Sequence, residues 1–178
     1  MFMSQGSFFE RPQLEPVTNL IIEETPPFHN PGVNTSFSGF LPGFKNNVPG
    51  KSPNFTGYIE GFVEEGGYGD VDEIEVEPGW RGRGFGTQLF KHFVNYVKER
   101  EVETISLSAA NERTAHLMGT IPDVKEYEFV GSDGPLANFS TELAVKYLQD
   151  ARVRQGMDKG HNKNERLLST IRITAYMR

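Results

Sequence analysis

The chain of 178 residues has no cysteine. That excludes a disulfide framework, a thiolate zinc site and a cysteine nucleophile. Its four histidines, His29, His92, His116 and His161, share no metal-ligand spacing, so no metal is expected. No run approaches the roughly 18 apolar residues of a membrane span, and the first ten residues carry neither a basic n-region nor a long apolar core. A soluble, cytoplasmic protein without membrane contact is expected. Positive charge is scarce where it might be looked for: 18 Lys and Arg stand against 24 Asp and Glu, a net charge of -6, which disfavours a surface that wraps nucleic acid.

That charge is unevenly spread. Residues 1–80 hold three basic and twelve acidic side chains, whereas residues 81–178 hold fifteen and twelve, so the sign changes at Arg81. Seven of the basic groups fall after residue 150. Among them Arg152, Arg154, Lys159, Lys163 and Arg166 form a segment able to contact phosphate groups, although a solvated helix and loop is the plainer reading.

Length and patterning indicate one domain over 1–178. Val17–Glu23 has the apolar run of a short strand. From Thr25 to Gly57 the pattern dissolves into six prolines, five glycines, five asparagines and five phenylalanines, Phe28, Phe37, Phe40, Phe44 and Phe55. Prolines and glycines on this scale break helices and supply turns. So many aromatics argue against disorder. The expectation is an ordered, non-helical flap, which either shapes a pocket, docks a protein partner or fills core.

Regular periodicity then resumes. Strands are predicted over Phe55–Val63 and Val71–Glu77, joined by a Gly-rich turn, the second with Ile74 and Val76 on one side and Glu73, Glu75 and Glu77 on the other. From Thr87 the period becomes helical, with Leu89, Phe90, Phe93, Val94 and Val97 on one face. Thr104–Ala109 reads as a strand. A helix capped by Asn111 follows and stops at Gly119 and Pro122. A strand over Tyr127–Gly131, a helix from Ser140 to about Gln155 and a strand over Leu167–Tyr176 complete the order.

The chemistry concentrates between Ile74 and Leu89, where a strand, a proline, a glycine-rich loop and an amphipathic helix succeed one another. Such a loop aims free backbone N–H groups from the positive end of a helix dipole, and glycines let a ligand approach the main chain. A phosphate or pyrophosphate is the natural guest, with Arg81 and Arg83 adding charge. No Lys-Ser or Lys-Thr pair follows the glycines, which excludes a Walker loop. A dinucleotide fingerprint fits poorly, because the glycines sit at 82, 84 and 86 and the next strand ends Ala109-Ala110-Asn111 without an acid.

The run Val76-x-Pro78-x-Trp80-Arg81-Gly82-Arg83-Gly84-Phe85-Gly86-x-x-Leu89 resembles the acetyl-CoA-binding signature of the GNAT superfamily of N-acetyltransferases, and Asn111-x-x-Thr-x-x-Leu117 resembles that family's next segment. The likeness spans about Val71 to Gly131. It implies an α+β fold: a mixed, mostly antiparallel sheet splayed in the middle and flanked by helices, with the N-terminal flap an addition. The cofactor-binding core is 71–131, and 138–178 supplies a C-terminal helix and strand. The implied ligand is acetyl-CoA, its pyrophosphate on the amides of Arg81, Gly82, Arg83, Gly84, Phe85, Gly86 and Thr87. Its thioester is placed near Val76, and Asn111 at the pantetheine or serving as a cap.

The resemblance also exposes two departures. Where many members carry a tyrosine acid this chain has Met118, and where some carry a glutamate it has Ser106. Glu75, Glu77 and Tyr127 are the candidate catalytic replacements, with His116 beside Met118. The helices that build much of the family's acceptor site give way to the flap. The implied activity is acetyl transfer to an amine borne by a protein, a small molecule or a nucleic acid; the alternative is a non-catalytic binding or structural protein on the same fold. A homodimer is compatible with either.

Overall fold

A computed structural model describes residues 20–27, 29–43, 48–109, 111–130, 134–154 and 171–177, the side chains of 151–154 excepted. Its elements are β1 (Ile21–Glu24), β2 (Thr35–Phe40), β3 (Phe55–Val63), β4 (Tyr68–Val76), a single 3-10 turn (Pro78–Trp80), α1 (Phe85–Glu99), β5 (Thr104–Ala109), α2 (Glu112–Met118), β6 (Glu126–Phe129), α3 (Thr141–Arg154) and β7 (Ile171–Tyr176). The seven strands form one mixed sheet in the order β1-β2-β3-β4-β5-β7-β6. Every neighbouring pair is antiparallel except β4 with β5. Helix α1 lies on β2, β3 and β4, whereas α2 and α3 pack together and against β5 and β7. Among the described residues no helix is long and apolar enough to cross a membrane.

The helical face anticipated from Leu89, Phe90, Phe93, Val94 and Val97 is the core face of α1, all five being buried. It meets Phe37, Ile59 and Val71 from the sheet in one apolar cluster that continues through Ile105, Leu107, Phe129 and Ile173. The close approach of α1 depends on Gly61. A Cβ there would collide with the carbonyl oxygen of Asp70 and stand 3.0 Å from Phe93 Cζ.

The supposed flap needs correcting. Its middle is β2, whose six residues are all buried and which pairs with β1 on one side and β3 on the other. No helix occurs among its described residues, as expected, but it is an internal strand of the sheet. The reason is a two-residue alternation hidden among turn formers. Phe37 faces α1, touching His92 and Tyr96 edge-on, while Ser36 and Ser38 are held on the other side by Thr25 and Glu60. Phe40 and Phe55 pack with Tyr58 in a second cluster, so three of the five expected phenylalanines, Phe37, Phe40 and Phe55, fill core. Phe28 and Phe44 lie outside the described residues, as do 17–19, Gly131, His161, 167–170 and the basic positions Lys159, Lys163 and Arg166.

The central feature is where β4 leaves β5. Their pairing runs from Tyr68 with Thr104 to Val71 with Leu107 and stops, although β4 continues to Val76 and β5 to Ala109. In the β3–β4 ladder Glu60 pairs with Glu73 and Gly61 with Val71, so Asp72 is an extra residue on β4. Such a bulge bends its strand and sharpens its twist. It sits one residue beyond the last β4–β5 pair, and the bend turns the rest of β4 away from β5.

Gly61→Ala should cost about 1–3 kcal/mol, the usual penalty for overpacking a core, in a urea unfolding experiment. An unchanged midpoint would show that α1 does not depend on this contact.

Candidate functional site

Where the end of β4 has left β5, a cleft of about 800 Å³ opens between β4 and α2. Its walls are the end of β4, the loop into α1, the first turns of α2 and Thr141 at the start of α3. Pro78 ends β4 by forcing the chain into a single 3-10 turn. Gly82 and Gly84 then adopt left-handed φ values of 81° and 79°, which a residue with a Cβ resists. Gly84 is the N-cap of α1, and no side chain caps the helix. Nor does its first turn contain an acid. Among the described residues the start of this 15-residue helix therefore has no side-chain cap, and a Cβ added at Gly82 or Gly84 would meet nothing within 4 Å. Uncapped amides, a favourable dipole and open space suit a phosphate-bearing ligand.

Arg81 is half-exposed at the mouth of this cradle. Its Nε donates to the carbonyl oxygen of Val76 at 2.8 Å, and its Nη2 lies 3.4 Å from Glu75 Oε1. Arg83 sits over Trp80, its guanidinium 5.0 Å from the ring, and Trp80 in turn meets Phe85 edge-on. Of the residues expected around a cofactor, Val76, Arg81, Gly82, Gly84, Phe85, Gly86, Thr87 and Asn111 line the cleft, whereas Arg83 does not. Asn111 caps α2, its Oδ1 accepting from the amide of Thr114 at 3.0 Å and from the Thr114 hydroxyl at 3.1 Å. That cap holds it at the edge of the cleft opposite the loop.

The three candidate catalytic groups separate. Glu75 lines the cleft. Glu77 is exposed and borders a smaller recess beside Ser52 and Trp80 instead. Tyr127 is buried, and its hydroxyl donates to the carbonyl oxygen of Met118 at 3.3 Å. Burial raises the Tyr127 pKa, and the residue is not part of the cleft lining. It reads as a sheet residue that stops up the end of α2. Met118 and Ser106 are themselves buried, Ser106 sharing a hydrogen bond with Thr174. Neither reaches the cleft. His116, exposed on α2, does.

Sequence reasoning passed over Glu73 and Arg113, which also line the cleft. Glu73 was legible as the same face of β4 as Glu75, two residues earlier. Arg113 was legible only as the first turn of the helix capped by Asn111. Among the described residues no group of three or more His, Asp or Glu could hold a metal ion.

Known structures share this architecture. The chain superposes on a Bacillus subtilis acetyltransferase solved in complex with CoA with a TM-score of 0.53 at 12% identity, covering 90% of this chain and 100% of that one. An IAA acetyltransferase from Bacillus cereus gives a TM-score of 0.51 at 12% identity, covering 89% and 99%. These likenesses are of fold. No curated protein sequence matches the chain. The profile of the acetyltransferase (GNAT) family matches residues 16–119, more than half of the chain and inclusive of β4, the loop, α1 and α2. With that match, and with the splayed sheet and uncapped loop already seen, the chain belongs to the GNAT acetyltransferase family, whose cosubstrate is acetyl-CoA.

Proposed function

We propose that the protein is an N-acetyltransferase that seats the pyrophosphate of acetyl-CoA on the amides between Arg81 and Thr87 and uses Glu75 to take the proton of an incoming amine. The observation that carries this reading is the arrangement of one cleft: an uncapped helix N-terminus at one part of its wall and a carboxylate on the end of β4 at another. The fit to the cosubstrate is chemical. A polyanion meets free amides with Arg81 beside them and Arg113 elsewhere in the lining, and the cleft is large enough for an extended arm.

Acetyl-CoA supplies an activated acyl carbon and a thiolate leaving group. The task left to the protein is on the amine side. An alkylammonium with a pKa of ~10.4 is less than ~0.1% neutral at pH 7, so a proton acceptor beside the arriving amine helps. Glu75, in the cleft lining, is the group for that role. Its carboxylate takes one proton from the ammonium and passes it to water, leaving a neutral amine; as the C–N bond forms and the C–S bond breaks, the second proton leaves nitrogen by the same carboxylate to water, and CoA departs as thiolate. A thiol with a pKa near ~8.5 leaves as thiolate without an acid, which accords with the apolar Met118 standing where many relatives keep a donor. Arg81, paired with Glu75 at 3.4 Å, orients that carboxylate and contributes to the anion cradle.

The acceptor side is acidic. Glu73 accompanies Glu75 on the same strand face, and residues 1–80 carry an excess of nine negative charges. A cationic amine is the matching acceptor class, in a protein, a small molecule or a nucleic acid.

Arg81→Glu should weaken acetyl-CoA binding by about 1–3 kcal/mol in titration calorimetry, the range of a charge-assisted hydrogen bond. Unchanged affinity would mean that the loop does not hold phosphate. Glu75→Gln should lower turnover by about 10²–10⁴-fold in a thiol-release assay over a panel of amines, while leaving the acetyl-CoA Kd near its original value. Tyr127→Phe is the contrast: turnover persists, and stability drops by about 1 kcal/mol for the lost buried hydrogen bond. Loss of turnover on Tyr127→Phe with Glu75→Gln still active would exchange their roles.

A further inference from the structure

Glu75 does not stand alone on its strand. Directly across the β3–β4 ladder from it is Tyr58, and the next pair on the same face is Glu60 with Glu73. Cross-strand partners of this kind have Cβ atoms about 4.5–5.5 Å apart, close enough for their side chains to meet. The Tyr58 hydroxyl lies between the two acids of that face: it donates toward Glu75 Oε2 at 3.4 Å and also hydrogen-bonds the Glu73 carboxylate.

What distinguishes Tyr58 is how firmly its ring is held. Only 3% of it is exposed. His29 stacks flat on it, ring centroids 4.6 Å apart and planes 9° from parallel, and Phe40 and Phe55 pack with it in the smaller apolar cluster. The stacking residue is itself anchored. The backbone amides of His29 and Asn30 donate to the buried Glu60 carboxylate at 3.4 and 3.1 Å, and the Asn30 side chain donates to Asp72 Oδ2 at 3.0 Å. Ser36 adds a hydroxyl to Glu60 at 3.4 Å. A segment of the former flap is thus pinned across β3 and β4 at the bulge, and it clamps the tyrosine beneath it.

Burial, together with the charges of Glu73, Glu75 and Glu60, pushes the Tyr58 phenol well above the usual tyrosine range. It therefore remains a proton donor at every working pH. A packing role alone needs only the ring, and phenylalanine would serve. Here a fixed hydroxyl is set against the carboxylate assigned to the amine's proton.

We propose that Tyr58 is a positioning residue for acetyl transfer: clamped by His29, it donates a hydrogen bond that keeps the Glu75 carboxylate aimed into the cleft. This rests on the reading of Glu75 as the proton acceptor. The groups facing Glu75 are Arg81 from the loop, Glu73 on its own strand, Tyr58 and Glu60 on β3, and His29 above the tyrosine. Only the hydroxyl changes in Tyr58→Phe, which keeps the stacked ring.

The test is a carboxyl-carbon NMR comparison, at one pH, of the full chain labelled at the glutamate δ-carbon, with Glu73→Gln and Glu75→Gln supplying the assignments. In Tyr58→Phe the Glu75 resonance should move, without loss of acetyl-CoA affinity. In thiol release with butylamine and phenethylamine as probe amines, kcat should fall several-fold and KM for acetyl-CoA should hold. A Glu75 resonance that stays in place, or an unchanged kcat, overturns the proposal and leaves Tyr58 a packing residue. Failure of the wild type to bind acetyl-CoA would overturn the acetyltransferase reading instead, and the NMR comparison still decides the hydrogen bond.

Discussion

The site depends on one broken ladder. Parallel strands ordinarily stay paired along their length, because each unpaired N–H or C=O that is buried costs free energy comparable to a lost hydrogen bond. Here β4 and β5 part after Val71 and Leu107. The extra residue Asp72 bends β4, while β3 and β7 continue to satisfy the outer edges of the two strands. The inner edges are what remain for a ligand. Val76 illustrates this: its carbonyl oxygen, with no β5 partner, takes the Arg81 guanidinium. A flat, fully paired sheet of the same sequence would have no cleft for an extended cosubstrate.

Two further constraints follow from that parting. The loop from Pro78 to Gly84 has to reverse the chain within a few residues so that α1 can lie back across β2, β3 and β4, which requires the left-handed glycines and leaves the helix start uncapped. Packing of α1 then needs a sheet surface without side chains in its path, and Gly61 provides it under Phe93. Stability and ligand geometry are therefore coupled through the same helix. Its apolar face supplies core and its first turn supplies amides.

Much of this could be read from the residues. The 3.6 period of α1, the alternation of β4, the cap at Asn111 and the glycines at 82, 84 and 86 are local signals, each set by neighbours within a few positions, and all appear where expected. β2 was obscured because its alternation of Ser and Phe is short, is flanked by proline and glycine, and buries polar hydroxyls that look solvent-facing in sequence. Their burial is satisfied by Thr25 and Glu60, which lie eleven or more residues away. The same holds for catalysis. Tyr127 looked as available as Glu75, yet it is the Met118 carbonyl, across a helix, that engages its hydroxyl.

By itself, then, the sequence determined the order of strands and helices from β3 onward, the glycine-rich turn into α1 and the family likeness. All rest on short-range periodicity, capping and backbone freedom. Tertiary structure alone decided where β4 leaves β5, which of Glu75, Glu77 and Tyr127 faces the cleft, and that His29 and Tyr58 meet beside Glu75. These depend on strand register and on contacts between distant residues. A shift of one residue in register exchanges the two faces of a strand, and nothing in the local sequence states which partner a strand will have.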